Sequence, residues 1–189
     1  MGDGDRFIAQ DRRPASIDPV DPASLTPRAR ALLFLPDLVT DFLETSFGEP
    51  ITVTCLSQSN RDDLIDQDLG VGPGDSVVVR ESAIHGANSG RPLIHAQVRL
   101  AEAGVPSELV EDLKDLSVGL GRLLDKHEVV CEREMLWYGL DRAETMSVDL
   151  RGILEGDRFV ARCYRLVAPG GVVATLVERF SVNLFNKEE

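Results

Sequence analysis

The sequence predicts an α+β domain built on a six-stranded antiparallel sheet, and two observations carry that expectation. Six segments show the apolar alternation or short apolar runs of strands, and most are joined by short connections with turn residues. Helical patterns occur only near the start and in the middle of the chain, without the regular strand–helix alternation of a parallel sheet. The length of 189 residues suits one domain that buries a sizeable core without a covalent staple.

Residues 1–26 are rich in Asp, Pro, Arg and Ser, are punctuated by Pro14, Pro19 and Pro22, and read as a flexible N-terminal arm before a single domain over 27–189. Thr26 followed by Pro27 has the signature of a helix start, with a short helix over 29–35 stopped by Pro36 and Asp37. A second helix spans 39–47. After Gly48, the alternation of Ile51, Val53 and Cys55 with Thr52, Thr54 and Leu56 gives the first strand. The acidic stretch 60–68 reads as a loop or lid. Strands follow at 76–84 and 92–100, around a turn carrying Asn88, Ser89 and Gly90. Residues 106–116 and 120–126 read as helices meeting near Gly119. The last three strands are expected at 128–138, 157–167 and 172–184, the final pair reversing at Pro169-Gly170-Gly171.

Composition narrows the function. Apolar residues make up 43% and charged residues 28% of the chain, as in soluble globular proteins. No stretch approaches the apolar length that crosses a bilayer, and the polar, acidic N-terminus lacks a secretory h-region, so a cytoplasmic location is expected. Cys55, Cys131 and Cys163 are widely spaced and odd in number, which points to reduced core thiols rather than a disulfide framework or a zinc site. The net charge of −12 argues against nucleic acid and anionic membranes as partners. It also means that an anionic ligand needs cations gathered locally at its site.

Two charged residues stand on apolar strand faces. On the last strand, Glu178 shares its parity with Ala174, Leu176, Phe180, Val182 and Leu184, where a carboxylate is costly unless paired. Either it forms a structural ion pair with an arginine of a neighbouring strand, or it aims into a cavity. Arg80 follows Val77-Val78-Val79 and shares a face with Val78, Ser82 and Ile84. It suits Glu178, or the bidentate capture of a ligand carboxylate, or both in one cavity. His85 and His95 flank the hairpin without a third metal ligand nearby, and His127 reads as surface. Glu132 and Glu134 read as a solvated face, with Arg133 and Met135 opposite. Gly70, Gly72 and Gly74 precede a strand rather than a helix, so they make no phosphate loop.

Five motifs in order resemble the chorismate pyruvate-lyase (4-hydroxybenzoate synthase) family: Val39-Thr40-Asp41-Phe42-Leu43; Val79-Arg80-Glu81; Leu120-Gly121-Arg122; Ala161-Arg162-Cys163-Tyr164-Arg165; and Thr175-Leu176-Val177-Glu178-Arg179-Phe180. The resemblance runs from about Leu32 to Phe185, and its closing segment is most similar to the actinobacterial branch. It implies helical flaps over an internal cavity, and a carbon–oxygen lyase that eliminates pyruvate from chorismate to give 4-hydroxybenzoate without metal or cofactor. By position, Arg80 would hold the ring carboxylate, and Glu178 would face the 4-position oxygen as acid or orienter. Leu120 would contact the ligand through its backbone N–H, and Val39 would line the cavity. A second arginine of the family falls at Gln97 here; Arg99, on the same strand face, and Arg122 are the candidate substitutes.

Beside a purely structural or partner-binding protein, which would leave a buried Arg80–Glu178 pair with no cavity between them, two other readings compete. One is a same-fold enzyme acting on a related small carboxylic acid, motivated by Gln97. The other is a non-enzymatic module binding an aromatic or cyclohexadiene carboxylic acid, because the fold resembles effector domains of bacterial transcription regulators. Those domains follow a helix-turn-helix, for which the 26-residue arm is too short. The residues 60–68 or 106–126 are the candidate lids.

Overall fold

The computed structural model describes residues 6–143, 154 and 156–185. Six strands form one sheet: β1 (Ile51–Arg61), β2 (Val77–Gly86), β3 (Pro92–Ala101), β4 (Glu132–Arg142), β5 (Arg158–Ala168) and β6 (Gly171–Ser181). Their spatial order is β1-β2-β3-β6-β5-β4, and every neighbouring pair is antiparallel. The last strand in sequence therefore lies inside the sheet, between β3 and β5, and brings Glu178 opposite both Ala96 and Arg162. Four helices accompany the sheet: α1 (Pro27–Leu33), α2 (Val39–Phe47), α3 (Ser107–Asp112) and α4 (Leu120–Lys126).

Strand parity divides the molecule. The face bearing Val78, Ile84, Val98, Val160, Tyr164, Leu176 and Phe180 packs against Leu32 and Leu33 of α1, Leu43 of α2, Leu109 of α3, and Leu120, Leu123 and Leu124 of α4. All four helices thus cover one face, where apolar residues meet across the strands. The opposite face carries a smaller apolar group of Ala9, Ile17, Leu136, Trp137, Ala161 and Cys163.

Local chemistry explains the boundaries. Thr26 caps α1 by accepting from Ala29 N–H, with Pro27 at the first helical position. Gly48 ends α2 in a left-handed conformation (φ 67°) that glycine adopts without steric cost. The helix expected over 106–116 stops at Asp112. Beyond it, the Asp115 carboxylate accepts from both the backbone N–H and the hydroxyl of Ser117, a local turn that competes with helical pairing. The fourth strand starts at Glu132 instead of 128, because Glu128 takes a positive φ of 54° and reverses the chain after α4.

The expectation of a flexible N-terminal arm is corrected over residues 6–26. Ile8 and Ala9 N–H groups donate to the carbonyls of Met135 and Leu136, and Asp18 pairs with Leu140 in both directions. Phe7, Ala9 and Ile17 are buried. The ring of Phe7 meets those of Tyr138 at 4.5 Å and Phe34 at 5.7 Å. The segment occupies the outer edge of β4, whose backbone groups would otherwise be a template for another strand. Polar composition concealed three apolar anchors. Residues 60–68 are also tied down: Asn60 and Arg61 belong to β1, and Asp66 bonds Arg99 at 2.7 Å.

Phe7→Ala should lower stability by about 3 kcal/mol, the usual scale for removing a buried aromatic ring. Chemical denaturation of the two proteins measures the difference; an unchanged midpoint would mean that the segment is not docked.

Candidate functional site

A cavity of about 250 Å³ lies between the helix-covered face and the helices. Its floor runs across Arg80 and Ser82 of β2, Ala96 and Val98 of β3, Leu176 and Glu178 of β6, and Tyr164 and Leu166 of β5. Val39 of α2, with Leu120 and Leu124 of α4, closes it from the helical side. Room exists there because Ala96 is small and because Gly119 and Gly121 bring the start of α4 close. A Cβ on Gly121 would lie 2.5 Å from Cδ2 of Leu38. The volume falls just below the common range of ligand pockets, which suits a small molecule with an apolar body.

Two fully buried charges stand on the floor, Arg80 and Glu178, and a third, Arg162, lies beside Glu178 on the neighbouring strand. Glu178 is the expected carboxylate, and its partner is Arg162, directly opposite on β5. Arg162 donates Nε to Oε2 at 2.8 Å, and its Nη2 lies 2.7 Å from the same oxygen. The Tyr164 hydroxyl donates to Oε1 at 2.9 Å. Burial, and next the charge of Glu178, push the Tyr164 phenol well above its ordinary pKa, so it remains a donor at physiological pH. Arg162 also donates Nη1 to the carbonyls of Leu32, Leu33 and Leu35, at the C-terminal end of α1 where a cation is favoured. Of the two expectations for Glu178, the structure shows the ion pair with an arginine of a neighbouring strand. It also lines the cavity, but both its oxygens are already bonded.

Arg80 is different. Nε donates to Ser82 Oγ, Nη1 to Gln58 Oε1 and the Leu113 carbonyl, and Nη2 to the carbonyls of Leu116 and Val118. All five of its N–H donors are used, every one on a neutral acceptor. Among the described residues no carboxylate comes within ion-pair distance. Burial presses its pKa downward, opposed by more distant charges including Asp115. A buried guanidinium without a counter-ion, beside an apolar cavity, favours any anion that can reach it.

The other expected residues divide. Val39, Leu120 and Arg122 line the cavity, and Arg122 approaches Glu44 at 3.6 Å. Gln97 and Arg99 do not; as candidate binding residues they are corrected by strand parity, which points them to the opposite face. There Gln97 bridges Glu81 (2.9 Å) and Arg179 (2.7 Å), Arg179 holds Asp141, and Arg99 holds Asp66. Asp66 and Asp68 lie on that same far side, so 60–68 is no lid over this cavity. His95 sits in the same layer, fully buried, with neither ring nitrogen hydrogen-bonded and Glu81 at 3.9 Å. Burial, then the Arg179 charge, push its pKa down to about 4. Of the cysteines only Cys163 is a core thiol, pushed up to about 12 by burial; Cys55 and Cys131 are half-buried. Glu134 pairs with Arg165 at 2.7 Å and Glu132 is exposed.

Sequence reasoning missed Arg162 as the partner of Glu178, and Tyr164 and Arg133 as cavity groups. The signal for the first two was parity: Arg162 and Tyr164 alternate with Val160 and Leu166 on β5 in the same way that Glu178 alternates on β6. Arg133 was assigned to the far side of the Glu132–Glu134 face, which is the cavity side.

No protein-family model matches the sequence, and no curated protein matches it. Solved structures do share the fold. The PhnF structure from Mycobacterium smegmatis superposes with a TM-score of 0.61 at 11% identity, over 76% of this chain and 63% of that one. The effector domain of PhnF from the same organism gives 0.56 at 11% identity, over 86% and 91%. A GntR-family transcriptional regulator from Bacillus cereus gives 0.52 at 12% identity, over 74% and 94%. The chain thus spans about 63% of the length of the full PhnF chain. What stands of the family resemblance is the fold, a six-stranded antiparallel sheet of the chorismate lyase-like kind. The expectation of a lyase is corrected. The neighbours described include an effector domain and a GntR-family transcriptional regulator, and the carboxylate expected to act on the substrate is engaged by Arg162 and Tyr164.

Glu178→Gln should cost about 3–5 kcal/mol, because it leaves the Arg162 guanidinium buried without an anion. Tyr164→Phe should cost about 1 kcal/mol, one hydrogen bond. Denaturation of both variants tests the order; equal small losses would mean that the pair is not the anchor described. For His95, the folded pKa lies below the ordinary value of 6.5, so the unfolded chain binds the extra proton between 6.5 and about 4. Stability conferred by the neutral ring is complete above pH 6.5 and falls as pH drops toward 4, by roughly 3 kcal/mol. His95→Leu should flatten that acid limb in pH-dependent denaturation, and an unaltered limb would contradict it.

Proposed function

We propose that this domain is a non-catalytic receptor for a small organic carboxylate, an aromatic or cyclohexadiene acid being the class that its cavity suits. The observation that carries this reading is the buried Arg80 guanidinium, whose five donors rest on neutral acceptors at the end of an apolar cavity. The net charge of −12 would repel such a ligand from the surface at large, so this local cation is where it gains. Effector domains among the structural neighbours support a binding role over a catalytic one.

In this reading Arg80 is the anchor, while Val39 and Leu120 pack the ring. Glu178 offers a fixed acceptor for a ligand hydroxyl, and Arg122 lies at the cavity's edge. The acceptors on Arg80 give the site an output. Three of them are backbone carbonyls of the segment joining α3 to α4, at Leu113, Leu116 and Val118. A carboxylate binds guanidinium about twice as strongly as a neutral acceptor does. It therefore displaces some of these carbonyls and releases the segment. That displacement needs no chemistry on the ligand, and it converts occupancy into a change of backbone position.

Titration calorimetry with 4-hydroxybenzoate tests the reading. Binding is expected, weakened at least about tenfold in Arg80→Gln, the loss of one charge-assisted contact. Arg80→Lys should retain part of the affinity. Undiminished binding by both variants, or none by the wild-type domain, would contradict it.

A further inference from the structure

Arg133 is a second cation on the same cavity, on the flank opposite Arg80. Arg80 projects from β2 and Arg133 from β4, with β3, β6 and β5 between them. Four inter-strand steps separate their backbones by about 19 Å. Arg133 donates Nη1 to the Pro36 carbonyl, and its guanidinium lies 5.4 Å from the centre of the Tyr164 ring. Its Nε is buried and has no hydrogen-bond partner. Among the described residues it has no carboxylate partner either, since neighbouring Glu134 is engaged by Arg165.

An unfilled buried donor on a cation is costly unless something completes it. Among the described residues none does, although Arg133 lines both the cavity and an adjoining pocket that shares Leu38 and Gly121 with it. We infer that the ligand is a two-ended anion: one carboxylate on Arg80, an apolar body across Val98, Leu176 and Leu166, and a second acidic group on Arg133. Arg133 is thus a specificity residue that selects dianions over monoanions of the same shape. This inference rests on the receptor reading and refines its ligand class. The geometry also explains why the second cation was not found on β3. The sheet places it four strands away from Arg80, on an edge that the N-terminal segment covers.

The test is calorimetry on the full chain with two shape-matched probes, 4-(2-carboxyethyl)benzoate and its neutral-ended analogue 4-(2-carbamoylethyl)benzoate. The dicarboxylate is expected to bind at least about tenfold more tightly to the wild type. Arg133→Gln should bring that ratio near one, chiefly by weakening the dicarboxylate, and Arg133→Lys should keep the dicarboxylate preferred. Arg80→Gln should weaken both probes. A wild-type ratio near one, with the amide bound, would overturn the role of Arg133 and leave the receptor reading intact. Failure of both probes to bind folded protein would overturn both.

Discussion

The buried face of the sheet holds two guanidiniums and one carboxylate, and the rest of the structure is arranged around that imbalance. Removing a charge from water costs several kcal/mol unless partners replace the solvent. Arg162 and Glu178 meet the requirement mutually, and their contact needs β5 and β6 in one register, with Arg162 opposite Glu178. Arg162 also gathers three carbonyls from the end of α1 and the turn after it. One side chain therefore joins the central strands to the first helix. Tyr164 completes Glu178 and forms part of the cavity floor.

Among the described residues Arg80 has no anion, and its charge is solvated by three backbone carbonyls, a hydroxyl and a side-chain amide. The carbonyls that do so belong to the connection after α3, where Asp115 and Ser117 have already broken the helix. A segment with little regular pairing can yield its place on a cation, whereas a strand could not. Both oxygens of Glu178 are engaged by Arg162 and Tyr164, groups that also hold the fold together.

Much of the architecture was legible. Apolar alternation located all six strands, Thr26 and Pro27 marked the start of α1, and helices were read at the places of α2 and α4. Arg80 and Glu178 were legible as cavity groups because a charge on an apolar strand parity is conspicuous. Their partners were less so. Whether Glu178 meets Arg80 or Arg162 depends on strand order, and β6 inserts between β3 and β5, an arrangement that local pattern does not encode. Gln97 and Arg99 were named on the positional resemblance, and the register of β3 turns both to the opposite face of the sheet. The N-terminal segment was misread for another reason. Three apolar contacts and a few backbone bonds suffice to dock a stretch whose composition is otherwise that of a loose tail.

In the proposed receptor, the Arg80 charge is held provisionally by the 113–118 backbone and passes to a ligand carboxylate. Amide hydrogen exchange, with and without saturating 4-hydroxybenzoate, tests it directly. The Cys55 amide is a sensitive reporter, because it donates to the Leu116 carbonyl at 3.2 Å. The account predicts faster exchange at Cys55 and through 114–118 on binding, with β5 and β6 unchanged. Binding that leaves Cys55 and 114–118 as protected as before, or that loosens β5 and β6 instead, would contradict it.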